Sequence, residues 1–179
     1  MTLLDLTVEF VDEAFKGKKP HFERTVYWFE QFSPVFSEVH RVAAYAHDIE
    51  RGIKGEREKD YLSTDFLKQH QEDGAKIIGD FLAQKGADEL TVDKVKWLVS
   101  RHEVGGDAEQ DALMDADSLS YFETNAETFV KEKAPIEGYE KIKGKFDWMF
   151  NRIKSDAARE AARPNYLKWS EALKMACNK

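Results

Sequence analysis

Histidines and nearby acidic residues are the side chains of this 179-residue chain that offer metal-binding or acid–base chemistry. His47 and Asp48 are adjacent, and they follow a run of small and apolar residues at positions 42–46. A carboxylate at the end of such a run is costly to desolvate unless it is paired or binds a metal. Imidazole nitrogen and carboxylate oxygen together suit a divalent transition metal. The doublet therefore predicts a metal site.

Three short segments form an ordered pattern that includes this doublet. They are residues 21–26 (HFERTV), residues 43–49 (AAYAHDI) and residues 116–119 (ADSL). In this order they resemble the His-x-x-Arg-x-Val segment, the His-Asp doublet and the Ala-Asp-x-Leu segment of the HD-domain metal-dependent phosphohydrolases. The resemblance spans roughly residues 15–125. It implies that one metal is bound by His21, His47, Asp48 and Asp117.

Two further histidines extend the resemblance. His70 precedes an Asp-Gly-Ala segment, and His102 ends a predicted helix. With them the chain has the order His, His-Asp, His, His, Asp, which is found in HD proteins that hold two metals. We therefore expect His70 and His102 to complete a second metal site. The alternative is that both contact the substrate beside a single metal.

The resemblance also implies an activity, namely hydrolysis of a small phosphorylated metabolite or nucleotide by a metal-bound hydroxide. The expected cofactor is one or two divalent transition ions (Mn, Fe, Co, Ni or Zn), with Mg also possible. Asp48 is expected to be catalytic as well as a ligand. Arg24, one helical turn from His21, is expected to steady the phosphate, because a guanidinium can bind phosphate in bidentate fashion.

The residue that moves protons is less well defined by the pattern. Related hydrolases have a glutamate at the fourth position after the His of the doublet, where this chain has Arg51. Glu50 and Glu56 are candidates by proximity alone. Two other functions remain open, a non-catalytic ligand sensor on an HD scaffold and a di-iron oxygenase of the HD type, because a fold does not fix a function.

His40 is the histidine that we place outside this pattern. It precedes His47 by seven residues, so along one helix the two Cα atoms would lie about 10.5 Å apart. That separation is too long for both side chains to share a metal directly. We therefore expect a structural or surface role for His40.

Composition limits the partners. The charge balance is 27 − 34 = −7, which argues against a broad nucleic-acid-binding surface. Acidic residues interrupt the only candidate leader segment, and no apolar run approaches the roughly 20 residues needed to cross a bilayer. The single cysteine, Cys177, cannot form an intrachain disulfide. We expect a cytoplasmic protein that acts on a small substrate without a membrane or a nucleic acid, and the oligomeric state stays open.

Several helices must position these side chains. Apolar residues recur at spacings of three and four almost throughout the chain, which predicts an all-α protein. We expect a compact helical bundle of the HD type with about seven helices, in one domain over residues 1–179. The motif-bearing core would cover roughly residues 15–125. C-terminal helices within residues 135–177 would pack on it.

Some helix boundaries are also predicted. The apolar pattern of residues 35–52 indicates one continuous helix, and a further helix is expected over residues 166–177, after Pro164. Capping residues indicate helix starts at residues 63–65, at Thr91 or Asp93, and at Asp107.

Overall fold

The structure, a computed structural model, describes residues 1–55 and 63–177. Over these residues the chain is all-helical and contains no strand, as the sequence predicts. Glu56 lies outside the described residues. The helices are α1 (Leu3–Ala14), α2 (Pro20–Phe32), α3 (Glu38–Ala46), α4 (Ile49–Lys54), α5 (Thr64–Gln84), α6 (Glu89–Val99), α7 (Ala108–Thr124), α8 (Ala126–Thr128), α9 (Ala134–Glu137), α10 (Tyr139–Asn151) and α11 (Asp156–Ala176), with a π-helical segment (Phe129–Lys133) between α8 and α9.

The described residues form more helices than the seven or so expected from the sequence. One reason is that the predicted helix over residues 35–52 begins later, at Glu38, and is divided at His47 and Asp48. Asp48 has φ −96° and ψ 11°, outside the helical region, and this ends α3 before α4 begins. Neighbouring residues of a regular helix point in different directions. The break therefore lets both side chains of the doublet reach one centre.

Side-chain capping explains the starts of five helices of the described residues, α1, α5, α6, α7 and α11. Ser63 accepts a hydrogen bond from the backbone of Phe66, and Asp107 forms a capping box with Gln110. The sequence predicts the start of α6 at Thr91 or Asp93, whereas the helix begins earlier in the chain, at Glu89. The cap is Asp88, whose carboxylate accepts from the backbone N–H of Thr91.

The last helix also differs from its prediction. The helix was expected over residues 166–177, after Pro164, yet α11 begins at Asp156 and runs through the proline to Ala176. Proline removes one backbone donor and crowds the preceding turn, which ordinarily weakens a helix interior. Here the apolar face of α11, with Ala158, Ala162 and Leu173, is buried in the C-terminal hydrophobic cluster on both sides of the proline. Tertiary packing outweighs the local preference.

Helix α7 is the centre of the molecule. Its first half, with Leu113 and Ala116, packs in a hydrophobic cluster formed with the N-terminal helices. Its second half, with Leu119 and Phe122, packs in another cluster formed with α10 and α11. Such a helix, buried on nearly every side, is a rigid support for the polar side chains that it carries.

His40 has a structural environment, separate from the other four histidines. It is buried, and its ring nitrogens contact Ser37 at 2.9 Å and Glu109 at 2.5 Å. Lys94 also donates to Glu109, at 2.9 Å. These bonds join α3, α6 and α7, as expected for a residue outside the candidate site.

None of the helices in the described part of the chain is both long enough and apolar enough to span a membrane.

Candidate metal centre

Four histidines and two aspartates converge on one buried region between the helices. The chain segments that carry them are far apart in sequence, so only the packed bundle brings the side chains together. The doublet reaches the region because of the break between α3 and α4. The six residues are His21 in α2, His47 and Asp48 between α3 and α4, His70 in α5, His102 after α6, and Asp117 in α7.

One half of the cluster is formed around Asp117. Its Oδ1 atom lies 3.1 Å from Nε2 of His21 and 3.5 Å from Nε2 of His47. Asp48 closes this half, with Oδ2 at 3.9 Å from Nε2 of His47. Possible ligand atoms of His21, His47 and Asp48 all lie within 4.8 Å of one another, close enough to bind one ion together.

The other half shares Asp48 and adds a residue that the sequence did not single out. Oδ1 of Asp48 lies 2.9 Å from Nε2 of His70 and 3.8 Å from Nε2 of His102. The added residue is Glu103, whose Oε1 lies 3.9 Å from Nε2 of His70 and 3.8 Å from Nε2 of His102. These four residues form a second group with metal-binding geometry. Asp48 belongs to both groups, so its two oxygens can serve adjacent ions.

Each imidazole is held by its Nδ1 atom and turned so that Nε2 faces the cluster. Backbone carbonyls and a carboxylate can only accept, so Nδ1 is the protonated nitrogen wherever it contacts one of them. Ser120 uses its hydroxyl proton on the carbonyl of His21 and therefore accepts from the ring. The Nδ1 partners are Ser120 for His21 at 2.8 Å, the Ala44 carbonyl for His47 at 2.8 Å, Glu50 for His70 at 2.9 Å, and the Val99 carbonyl for His102 at 2.7 Å.

This orientation fits metal ligation. Partners on the second ring nitrogen typically fix the tautomer of a ligating histidine and raise its basicity. Nε2 of His47 and Nε2 of His102 are fully buried and have no hydrogen-bond partner among the described residues. Buried nitrogens are rarely left unsatisfied in a folded protein. A divalent ion bound at Nε2 would satisfy both of them.

The protonation of the histidines depends on their neighbours. Burial lowers the pKa of His102 to about 4, so its ring is neutral near pH 7. Burial also opposes charge on His70, but hydrogen bonds to Asp48 and Glu50 raise its pKa to about 9. The pKa of Asp48 lies well below its usual value, because Arg51 and the histidines outweigh its burial. A bound cation would take the place of the proton on His70.

Positive side chains surround the carboxylates. Arg51 donates from Nε to Asp48 at 3.0 Å and from Nη2 to Glu103 at 3.4 Å. Arg152, whose side chain is 6% exposed, forms ion pairs with both Glu103 and Asp117. Lys145 lies nearby, and burial lowers its pKa to about 8. The candidate centre thus combines converging ligands with fixed cations that can face an anion.

Arg24 and Glu50, which are expected to be catalytic, each contact another side chain of the protein. Arg24 donates to Glu123 from Nε at 2.6 Å and from Nη2 at 3.1 Å, and its guanidinium lies 4.1 Å from the ring centroid of Tyr27. The structure thus joins Arg24 to Glu123 and not to the ligand cluster. Glu50 is 1% exposed and contacts Nδ1 of His70, a position from which it orients the imidazole.

Glu103 and Arg152 belong to the centre or contact it, and neither was predicted from the sequence. Glu103 lies outside the three segments that carry the resemblance, although its place next to His102 in the sequence is a usable signal. Arg152 follows α10 and lies beyond the segments that carry the resemblance. No local pattern marks it, because its partners Glu103 and Asp117 are 49 and 35 residues away.

An open cavity of about 430 Å³ adjoins the centre. Glu103 and Arg152 line its inner part, and Trp148 forms part of its wall. This volume lies in the range typical of small-molecule sites, about 300–1,000 Å³.

Comparison with known proteins gave one family. No curated protein and no solved structure gave a significant match. The model of a family described as a domain of unknown function, DUF4202, matches residues 7–176. Because this match spans nearly the whole chain, the protein belongs to the DUF4202 family.

Proposed function

We propose that this protein is a metal-dependent phosphohydrolase of the HD type that acts on a small phosphorylated metabolite or nucleotide. One observation carries the proposal: four imidazole Nε2 atoms and three carboxylates converge in two groups that share Asp48. Imidazole and carboxylate ligands together favour Mn, Fe, Co, Ni or Zn, and Mg is possible at the carboxylates. When bound, such an ion supplies Lewis-acid polarisation of a phosphoryl oxygen and a nucleophile at neutral pH.

The residues of the chain have distinct proposed roles. His21, His47, Asp48 and Asp117 hold one ion, and Asp48, His70, His102 and Glu103 hold a second. Glu50 orients His70 through Nδ1, so we propose that it positions a ligand and does not itself move the proton of the reaction. Outer partners of this kind typically contribute about 10–100-fold to metal affinity or activity.

Arg51 is the best-placed residue to face a phosphoryl group. Its guanidinium lies beside the carboxylates of both Asp48 and Glu103, and its side chain is 26% exposed. Arg152 is less available, because Glu103, Asp117 and Ser118 each accept from it. Guanidinium groups bind phosphate through paired hydrogen bonds. The proposed phosphate contact is therefore Arg51, with Arg24 as the alternative from the sequence.

The size and charge of the adjoining cavity favour a small substrate. About 430 Å³ holds a metabolite or a nucleotide. The net charge of −7 disfavours long polyanions outside the cavity. We propose a cytoplasmic enzyme that needs neither a nucleic acid nor a membrane as partner.

A substrate panel tests the proposal. Protein purified without added metal is analysed for its elements and then assayed with Mn, Co, Fe, Ni, Zn and Mg against nucleotides and simple phosphoesters. We expect release of inorganic phosphate or a nucleotide product with at least one transition metal, and loss of that activity with a chelator. Failure of the metal-loaded protein to turn over any compound would favour the sensor alternative. Substrate-dependent oxygen consumption by the iron form would favour the oxygenase.

Substitution of the two arginines separates their proposed roles. We expect Arg51→Gln to lower kcat/KM by about 10–100-fold, as loss of a preorganised charge contact typically does, and Arg24→Gln to have a smaller effect. Arg163→Gln is the matched control, because Arg163 is exposed, and its contacts with Glu160 and with the ring of Phe150 involve no residue of the candidate centre. A larger loss in Arg24→Gln than in Arg51→Gln would assign the phosphate contact to Arg24.

A further inference from the structure

The cavity beside the metal centre has an uneven charge distribution. Among the described residues that line it, one is anionic, Glu103, and its charge is balanced by the buried Arg152. Three further cations, Lys68, Arg101 and Lys154, line the outer part and come from three different segments of the chain. An outer part with three cations is notable in a chain of net charge −7. Concentrated positive charge in a cleft attracts anions.

These outer cations are not used up by the fold. Lys154 contributes its backbone N–H to Asp115, but its ammonium group has no ion-pair partner within the described residues. Lys68 is 68% exposed on its side chain and reaches Glu72 only at 4.0 Å. Arg101 donates its Nε to the carbonyl of Gly105 at 2.8 Å, which leaves its terminal nitrogens for other contacts.

Apolar side chains line the same cavity as the outer cations. Leu67, Met114 and Trp148 line the cavity together with Glu103 and Arg152, which also belong to the centre or contact it. A molecule that lies in the cavity therefore has within reach the buried Glu103 and Arg152, apolar side chains and the three exposed cations. Each of these groups selects a different part of a ligand.

We infer that the substrate carries two anionic groups, a phosphoryl group at the metal centre and a second phosphate or carboxylate at Lys68, Arg101 and Lys154, joined by an apolar or ring-containing segment. This inference rests on the proposed function for the first group. The second group adds binding energy away from the reacting bond. Such remote contacts position the reacting group for catalysis.

Binding of phosphonates tests the inference without turnover, because the proposed reaction does not cleave P–C bonds. Calorimetry on the Mn-loaded protein compares alkylphosphonates with α,ω-alkylene bisphosphonates over a series of chain lengths. At one length we expect the bisphosphonate to bind about tenfold more tightly, a difference of about 1.4 kcal/mol, because its second phosphonate gains ion pairs with exposed cations. The double variant Lys68→Gln/Lys154→Gln should reduce this advantage to about threefold or less, with monophosphonate affinity unchanged.

The matched control removes two charges elsewhere. Lys76→Gln/Lys174→Gln replaces exposed lysines of α5 and α11 that do not line the cavity, and it should keep the full advantage. Equal affinities of the alkylphosphonates and the bisphosphonates at every chain length would overturn the inference. It would also be overturned if Lys68→Gln/Lys154→Gln weakened the binding of both probe types equally. Because binding is measured, these results are independent of whether the protein hydrolyses any phosphoester.

Discussion

Asp48→Ala should remove bound metal from both halves of the centre and lower phosphohydrolase activity by more than about 100-fold, since loss of an outer partner alone typically costs 10–100-fold. Asp48 is the carboxylate that both ligand groups share. Its removal also leaves Nε2 of His70 without the partner at 2.9 Å. Elemental analysis of the purified variant and phosphate release by the metal-loaded variant measure the two effects.

Folding must be separated from this loss. Circular dichroism should show helical content close to that of the parent, and Asp48→Asn, which keeps the size of the side chain, gives a second variant with the same expected metal loss. Asp115→Asn is the control. That carboxylate accepts from the backbone N–H groups of Lys154 and Ser155 at the start of α11, so its loss should cost about 1 kcal/mol of stability and no metal. Full metal occupancy and activity in Asp48→Ala would show that the assignment is wrong.

The spacing of apolar residues predicted the fold class, and the order of the histidines and aspartates predicted part of the candidate site. The all-α class follows from apolar periodicity, which is a local property of each helix. The candidate ligands in α2, α5 and α7 lie on predicted helices, so their residue types and order were enough to suggest one centre. His47 and Asp48 were also expected there, although the break between α3 and α4 that directs both inward was not predicted.

The parts that the sequence did not predict depend on contacts between distant segments. The continuity of α11 through Pro164 comes from packing against the C-terminal hydrophobic cluster. Glu103 is a candidate ligand because the fold brings α5 and the turn after α6 close to Asp48. The pairing of Arg24 with Glu123 spans 99 residues, whereas Arg51 lies beside the carboxylate of Asp48. Periodicity and capping rules do not encode such pairings.

Arg152 is expected to be the side chain with the largest effect on stability. Its guanidinium joins Glu103, Asp117 and Ser118, and both carboxylates are almost completely buried. Burial alone would raise the pKa of Glu103, and the charge of Arg152 is the main influence that lowers it to about 2. Without Arg152, the buried carboxylates of Glu103 and Asp117 would lose the guanidinium group that pairs with both of them. Removal of one partner from a buried ion pair typically costs about 3–5 kcal/mol, because the other charge remains desolvated.

We therefore expect Arg152→Met to lower the free energy of unfolding of the metal-free protein by about 3–5 kcal/mol, as measured by urea titration. Arg152→Lys should fall between this variant and the parent, because one ammonium group keeps the charge but cannot contact all three partners. Added Mn²⁺ should recover part of the loss, since an ion that binds only the folded state stabilises it. Arg163→Met, at an exposed pair with Glu160, should change stability by less than about 0.5 kcal/mol. A loss in Arg152→Met no larger than in this control would mean that the buried carboxylates do not depend on Arg152.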